Sequence, residues 1–285
     1  MEKKILRNTR IGAILLSSYN GEQYIRDQID SIINQDFVDW TLYIRDDGSI
    51  DNTQNIINEY TKLYDNIVWI NEDNNLGAMN SFFRLLDIVD SEYYMFCDQD
   101  DYWLPFKISK TLNELQNLEN EHIEKPALIG TNLIVADSEL NVVSTSLFDY
   151  IGFNHSSLAK YPYMLYVTNP FVGCTLMFNR LCKTVLIPPS PNAIMHDWWL
   201  VLNILRTGVV YIIPETTIMY RQHANNVVGT RCINYNSIEY WFFKIKKISL
   251  VYKRNVSIIR MLYDLNICPA YKYLIIKIKY IIGKL

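Results

Sequence analysis

Over the first 130 residues, short apolar runs alternate with longer segments whose apolar residues recur every three or four positions. The runs predict strands over 11–16, 41–45, 67–70, 93–97 and 127–130, and the periodic segments predict helices over 22–34, 53–64, 78–89 and 107–121. Polar caps and turn residues mark the helix starts: Asn20 with Gly21, Asp51 with Asn52, and Pro105 ahead of the fourth. This rhythm predicts an α/β chain with a Rossmann-like, mostly parallel sheet covered by helices on both faces.

Past residue 130 the pattern loosens. A loop region with Pro162 and Pro170 leads to an apolar run over 173–178 and a short helix; PPSPN then precedes HDWWLVLNILRTG, which has helical spacing. Two further strands are predicted over 209–213 and 217–220. From Ile238 onward Trp241, Phe242, Ile245, Ile248, Tyr252, Val256 and Ile259 share one helical face, with lysines and arginines around the rest. That is the composition of an interfacial helix, contacting a membrane through 238–282; the alternative is that the stripe packs on the body and the lysines are solvated.

Charge sharpens this division. Residues 1–230 hold 16 Lys and Arg against 28 Asp and Glu, net −12, whereas 231–285 hold 11 against 2, net +9. An acidic body argues against a nucleic-acid partner, whereas a basic tail could meet anionic lipid, RNA or solvent. The length of 285 residues and 49% hydrophobic content exclude collagen, coiled-coil and disordered classes. Cys97, Cys174, Cys182, Cys232 and Cys268 are scattered, without metal-like spacing, and are read as reduced and mostly packed. The early apolar run ends at SSYNGEQ without a cleavage-like site, and no stretch reaches 18 apolar residues. The expected location is the cytoplasm, peripheral on the inner face of the cell membrane.

Ligands of parallel sheets bind at the carboxyl ends of the strands, and the polar clusters SSYNG, DDGS, NEDNNLG and DQDD fall there. Asp98, Gln99, Asp100 and Asp101 end an apolar strand, where several carboxylates repel unless a divalent cation compensates them; hard oxygen ligands suit Mg²⁺ or Mn²⁺. A solvated acidic turn capping the next helix is the alternative. Asp46 and Asp47 could accept the imide N–H of a pyrimidine or serve Asx-turn and capping chemistry. Ser17, Tyr19, Asn20 and Gly21 offer hydroxyls, an aromatic face and a close-approach glycine.

The ordered set SSYNG, DDGS, NLGAMNSF, DQDD, HDWW and YRQH, across about residues 10–225, resembles the family 2 inverting glycosyltransferases, particularly the rhamnosyltransferase-like branch. The resemblance implies a GT-A fold over 1–235, with a nucleotide-sugar half to about 130, an acceptor half to 235 and a basic amphipathic helical tail over 236–285. It also implies a nucleotide-sugar donor, dTDP-rhamnose or a UDP-sugar, and a saccharide or lipid-linked oligosaccharide acceptor in O-antigen or capsule assembly. Residue by residue, Tyr19 and Asp46 or Asp47 would hold the base, and Gly77 and Asn80 would line the nucleotide pocket. Asp98 would face the ribose or the metal, Asp100 in the DXD motif would ligate the metal, and His223 would be a further metal or diphosphate contact. Asp197 would be the base that deprotonates the acceptor hydroxyl, kept ionised by the helix dipole; a capping carboxylate is the other reading. Many relatives carry Glu where this chain has His196. Of Trp198 and Trp199, adjacent on a helix, one is expected in the site and one in the core. Cys174 reads as a packing residue. A nucleotidyltransferase would want a glycine-rich basic phosphate loop and a dehydrogenase GxGxxG after the first strand, and neither is present. A non-catalytic nucleotide- or sugar-binding module remains as the reading of another class, which should lack Asp100 or Asp197.

Overall fold

The computed structural model describes residues 5–72, 74–186, 188–223 and 239–282, with side chains throughout except over 239–251. Its first half runs β1 (Leu6–Arg7), β2 (Gly12–Ser18), α1 (Ile25–Ile33), β3 (Trp40–Asp46), α2 (Thr53–Leu63), β4 (Ile67–Ile70), α3 (Ala78–Ile88), β5 (Val89–Asp90), β6 (Tyr93–Cys97), β7 (Tyr102–Trp103) and α4 (Lys107–Glu121). The second half continues through β8 (Ala127–Ala136), β9 (Val142–Ser144), α5 (Leu147–Tyr150), α6 (Ser157–Lys160), β10 (Leu176–Asn179), α7 (Arg180–Leu186), α8 (His196–Thr207) and β11 (Val209–Arg221). It closes with α9 (Glu239–Asp264) and α10 (Ala270–Ile281).

The main sheet has the order β4-β3-β2-β6-β10-β8-β11-β7, with β9 paired to β8. β4, β3, β2 and β6 are parallel throughout, as the alternating pattern predicts. Beyond them the sheet is mixed: β10 is antiparallel to both β6 and β8, β11 is parallel to β8, and β7 is antiparallel to β11. β1 and β5 form a separate parallel pair.

Strand alternation sorts side chains into two cores, one on each face. Ala13, Leu15, Tyr94, Phe96 and Phe178 pack with α3 and α8. Ile14, Leu16, Leu42, Ile44 and Met95 pack with α1, α2 and α4.

Three expectations are corrected. The strands expected over 209–213 and 217–220 are the single strand β11; Pro214 lacks an amide N–H and reads as a break, but it falls where the register with β8 shifts, so the ladder resumes beyond it. β8 runs on to Ala136 because its polar residues are paired inside the fold: Thr131 Oγ1 meets Thr217 Oγ1 at 2.7 Å, and Asn132 donates to Ser146 Oγ at 2.9 Å. Trp198 and Trp199 are both core, 3% and 5% exposed, because α8 is covered on more than one face.

The tail divides its surface. Ile258, Met261, Leu262, Leu265, Tyr273 and Ile276 are buried in the same core as α3 and α8, whereas Tyr252 is exposed. Ile238 and the side chains of Trp241, Phe242, Ile245 and Ile248 lie outside the described residues, as does Cys232. The other four cysteines are buried thiols. Among the described residues no helix is long and apolar enough to cross a membrane.

Candidate active site

The loops after β2, β3, β4 and β6 are joined by hydrogen bonds at one edge of the sheet. Gln99 grips the first loop at two points: its Oε1 accepts from the Tyr19 amide at 2.8 Å and its Nε2 donates to the Tyr19 carbonyl at 3.0 Å. Gly21 lies so close to the Gln99 amide that a Cβ there would overlap it, and its own N–H donates to Thr53 Oγ1 at 2.8 Å. Ser17 donates to Ser81 at the start of α3, 2.7 Å away. The Tyr19 ring is left about half exposed, an open aromatic face beside these loops.

Asp46 and Asp47 are both buried but are engaged to different degrees. A carboxylate has about four acceptor positions. Asp46 fills them within the protein, from Ser18 Oγ, the Ser49 amide and hydroxyl, and Gln54 Nε2. Asp47 takes three bonds, from Arg45 Nη1 at 2.5 Å and the Leu76 and Gly77 amides at 2.7 Å each, leaving one position for a ligand donor. Gly77 adopts φ +75°, which a glycine holds without strain, and that turn aims its amide at Asp47. Asn80 donates to the Leu76 carbonyl at 2.9 Å, on the exposed side of the same turn. Arg45, fully buried, ties this region together through Asp47, Glu72, Asn74 and Ser81.

The acidic turn after β6 lies over the end of β11. Asp100 Oδ2 is 2.8 Å from His223 Nε2, and the Asp100 carbonyl accepts from Arg221 Nε at 2.9 Å. Arg221 lies over the Tyr24 ring and reaches Asp27 and the Ser138 carbonyl, while its amide donates to Asp101 Oδ1. Asp98, Asp101 and Cys174 bring one ligand atom each within 4.8 Å of one another. Burial first, and then the charges of Asp100 and Asp197, push Asp98 up to about 7; burial, then the charges of Asp100 and Asp98, drives Asp101 well above its ordinary range. Asp101 Oδ2 meets no hydrogen-bond donor among the described residues. Several crowded, desolvated carboxylate oxygens, one unmatched, with an imidazole alongside, are a donor set that fits a hard divalent cation. Below the turn, Lys107 is fully buried over the Trp103 ring, 4.6 Å from its centroid, and burial lowers it to about 8.

Asp197 occupies the first turn of α8, accepting from the Trp198 amide at 2.5 Å and from the Gly173 amide. The expectation that the helix dipole keeps it ionised is corrected: burial outweighs those amides and lifts it to about 7. Its charge reaches Asp98, so the acid opening α8 and the turn ending β6 face one region. His196 points away from solvent, between the rings of Phe82 and Phe96 with centroids at 4.2 and 4.9 Å; burial lowers it to about 3, so it is neutral. A Cβ on Gly173 would lie 2.5 Å from His196 Nε2, so the absence of a side chain at 173 lets this loop reach Asp197.

Sequence reasoning missed Arg45, Lys107 and Arg221 as parts of this region, and it gave Gln99 no role of its own in holding the first loop. Arg45 stands directly before DDGS and Arg221 inside YRQH, a signal that could have found them; Lys107 lies further on, in the predicted helix after DQDD.

Comparison with known proteins accounts for the arrangement. The model of the family described as glycosyl transferase family 2 matches residues 13–123. A dTDP-rhamnosyl transferase, RfbG of Shigella flexneri, is 32% identical over 230 residues, covering 75% of this chain and 73% of the relative. The chain belongs to glycosyl transferase family 2. Among solved structures, this family 2 chain is similar to S. aureus TarS 1-349 in complex with UDP-GlcNAc, with TM-score 0.56 and 16% identity over 88% of this chain and 71% of that one. It is also similar to the mannosyltransferase PcManGT from Pyrobaculum calidifontis in complex with GDP-Man and Mn²⁺, with TM-score 0.55 and 14% identity over 74% of this chain and 56% of that one. The fold is the GT-A fold.

Proposed function

We propose that this transferase moves a sugar, rhamnose from dTDP-rhamnose, onto a hydroxyl of a saccharide acceptor with inversion at the anomeric carbon. The observation that carries the reading is the placement of Asp197, a half-buried base candidate, within electrostatic reach of the acidic turn. Asp197 accepts the proton of the acceptor hydroxyl as that oxygen attacks the sugar from the face opposite the departing diphosphate, so one displacement suffices. Tyr19 offers its ring to the base, Asp47 has an acceptor position for a pyrimidine imide, and Ser17, Gly77 and Asn80 border the nucleotide. Asp98, Asp100 and His223 are the residues that would hold Mg²⁺ or Mn²⁺, which when bound supplies charge neutralisation of the diphosphate leaving group. The similarity to RfbG supports rhamnose over a UDP-hexose. A lipid-linked oligosaccharide of O-antigen or capsule assembly, on the inner face of the membrane, suits the basic tail.

Calorimetric titration with dTDP and UDP, in Mg²⁺ or Mn²⁺ and then in EDTA, tests the donor site. Tighter binding of dTDP, abolished by EDTA and by Asp100→Ala, is the expected result. Preference for UDP redirects the donor assignment, and no nucleotide binding under any condition removes the transferase reading in favour of a binding module.

A further inference from the structure

The helix α10 is apolar on two opposite sides. Tyr273 and Ile276 are buried and Tyr280 packs partly against the same core, while α10 rests on the turn Pro162–Tyr166. The other side carries Tyr271, Leu274, Ile275, Ile278, Ile281 and Ile282, each between 49% and 70% exposed. At about 100° per residue these six fall within an arc of about 120°. Lys272 and Lys279 border the arc on one side and Lys277 on the other, the latter donating to Asn255. Between Leu265 and Leu285 there is no acidic residue.

We propose that the outward arc of α10 is a membrane-docking face that lies in the headgroup region of an anionic bilayer. Such an arc on a packed helix marks a docking surface, since isolated exposed apolar residues are common but six contiguous ones are not. The bordering lysines select the occupant. In a self-pairing of two α10 helices they would face lysines, with no acid on this helix to compensate them; anionic headgroups meet them directly, while the isoleucines and leucine enter the acyl boundary. The inner side, fixed in the core, sets the depth and orientation of the body. This names the face behind the membrane attachment proposed above and rests on that reading, but is independent of the transfer chemistry.

The test is co-sedimentation of the full chain with vesicles of phosphatidylglycerol and phosphatidylcholine in equal parts, and with phosphatidylcholine alone. The wild type is expected to partition at least tenfold more into the anionic vesicles, with the preference lost in high salt. Ile275→Glu with Ile278→Glu should reduce partition about tenfold or more, and Lys272→Glu with Lys279→Glu should abolish the anionic preference. Circular dichroism and dTDP binding, unchanged in all variants, show that they fold. Donor binding without vesicle binding overturns this inference and leaves the transferase reading standing. Partition unaltered by the isoleucine variants, or a solution dimer that they split, likewise overturns it.

Discussion

Asp197 has an acidity set by where it sits rather than by what it is. Its ordinary value is 3.8 and burial moves it to about 7, so transfer should rise with pH through about 7, roughly tenfold between pH 6 and pH 8. Stability runs the other way. The folded chain holds a proton that the unfolded chain releases between 3.8 and about 7, so the contribution of this residue weakens as pH rises across that window. Asp197→Asn should therefore abolish transfer, preserve dTDP affinity by calorimetry, and raise the melting temperature at pH 8 but not at pH 4. Near-normal turnover in that variant removes Asp197 from the mechanism. Gly173 offers a second test. Gly173→Ala pushes a methyl into His196 and should cost about 1–3 kcal/mol in thermal unfolding, with His196→Ala in the same chain recovering part of the loss.

Among the elements, the loop carrying Leu76 and Gly77 is tied down by a strand residue, Arg45, through Asn74 and Asp47, as well as by its own turn contact from the Gly77 amide to Asn75 Oδ1. Arg45→Ala takes the cation from buried Asp47, which keeps the Leu76 and Gly77 amides, and leaves Glu72 to Arg84, and should cost about 3–5 kcal/mol in urea unfolding. This residue also marks where sequence reading stops. β4, β6 and α4 are legible to the residue because their periodicity is local, and the four converging loops follow from their polarity. An arginine inside a strand looks like a surface residue until the loop that surrounds it is in place. β10 was hidden for a related reason: its direction is decided by pairing with β6 and β8, strands about 80 and about 50 residues earlier, and three apolar residues followed by Asn179 carry no sign of direction. His196 sits beside Asp197 in sequence, yet packing turns it inward between Phe82 and Phe96.

For the whole molecule, the charge boundary near residue 230 is not a boundary of packing. Met261, Leu262 and Tyr273 are fully buried against elements of the body, and burying each such side chain contributes about 1.5–3 kcal/mol. Removing everything after residue 238 should expose that surface, so the truncated chain is expected to aggregate or lose cooperative thermal unfolding, measured by calorimetry and light scattering. A soluble truncated chain with an unchanged melting temperature would show that the tail adds nothing to the core.

The two-point grip of Gln99 on Tyr19 means that the loop carrying the open Tyr19 ring and the acidic turn after β6 are one mechanical piece. For the nucleotide and cation proposed above, reciprocity applies: the factor by which the cation raises the affinity for the nucleotide equals the factor by which that nucleotide raises the affinity for the cation. An affinity for either partner has meaning only at a stated concentration of the other.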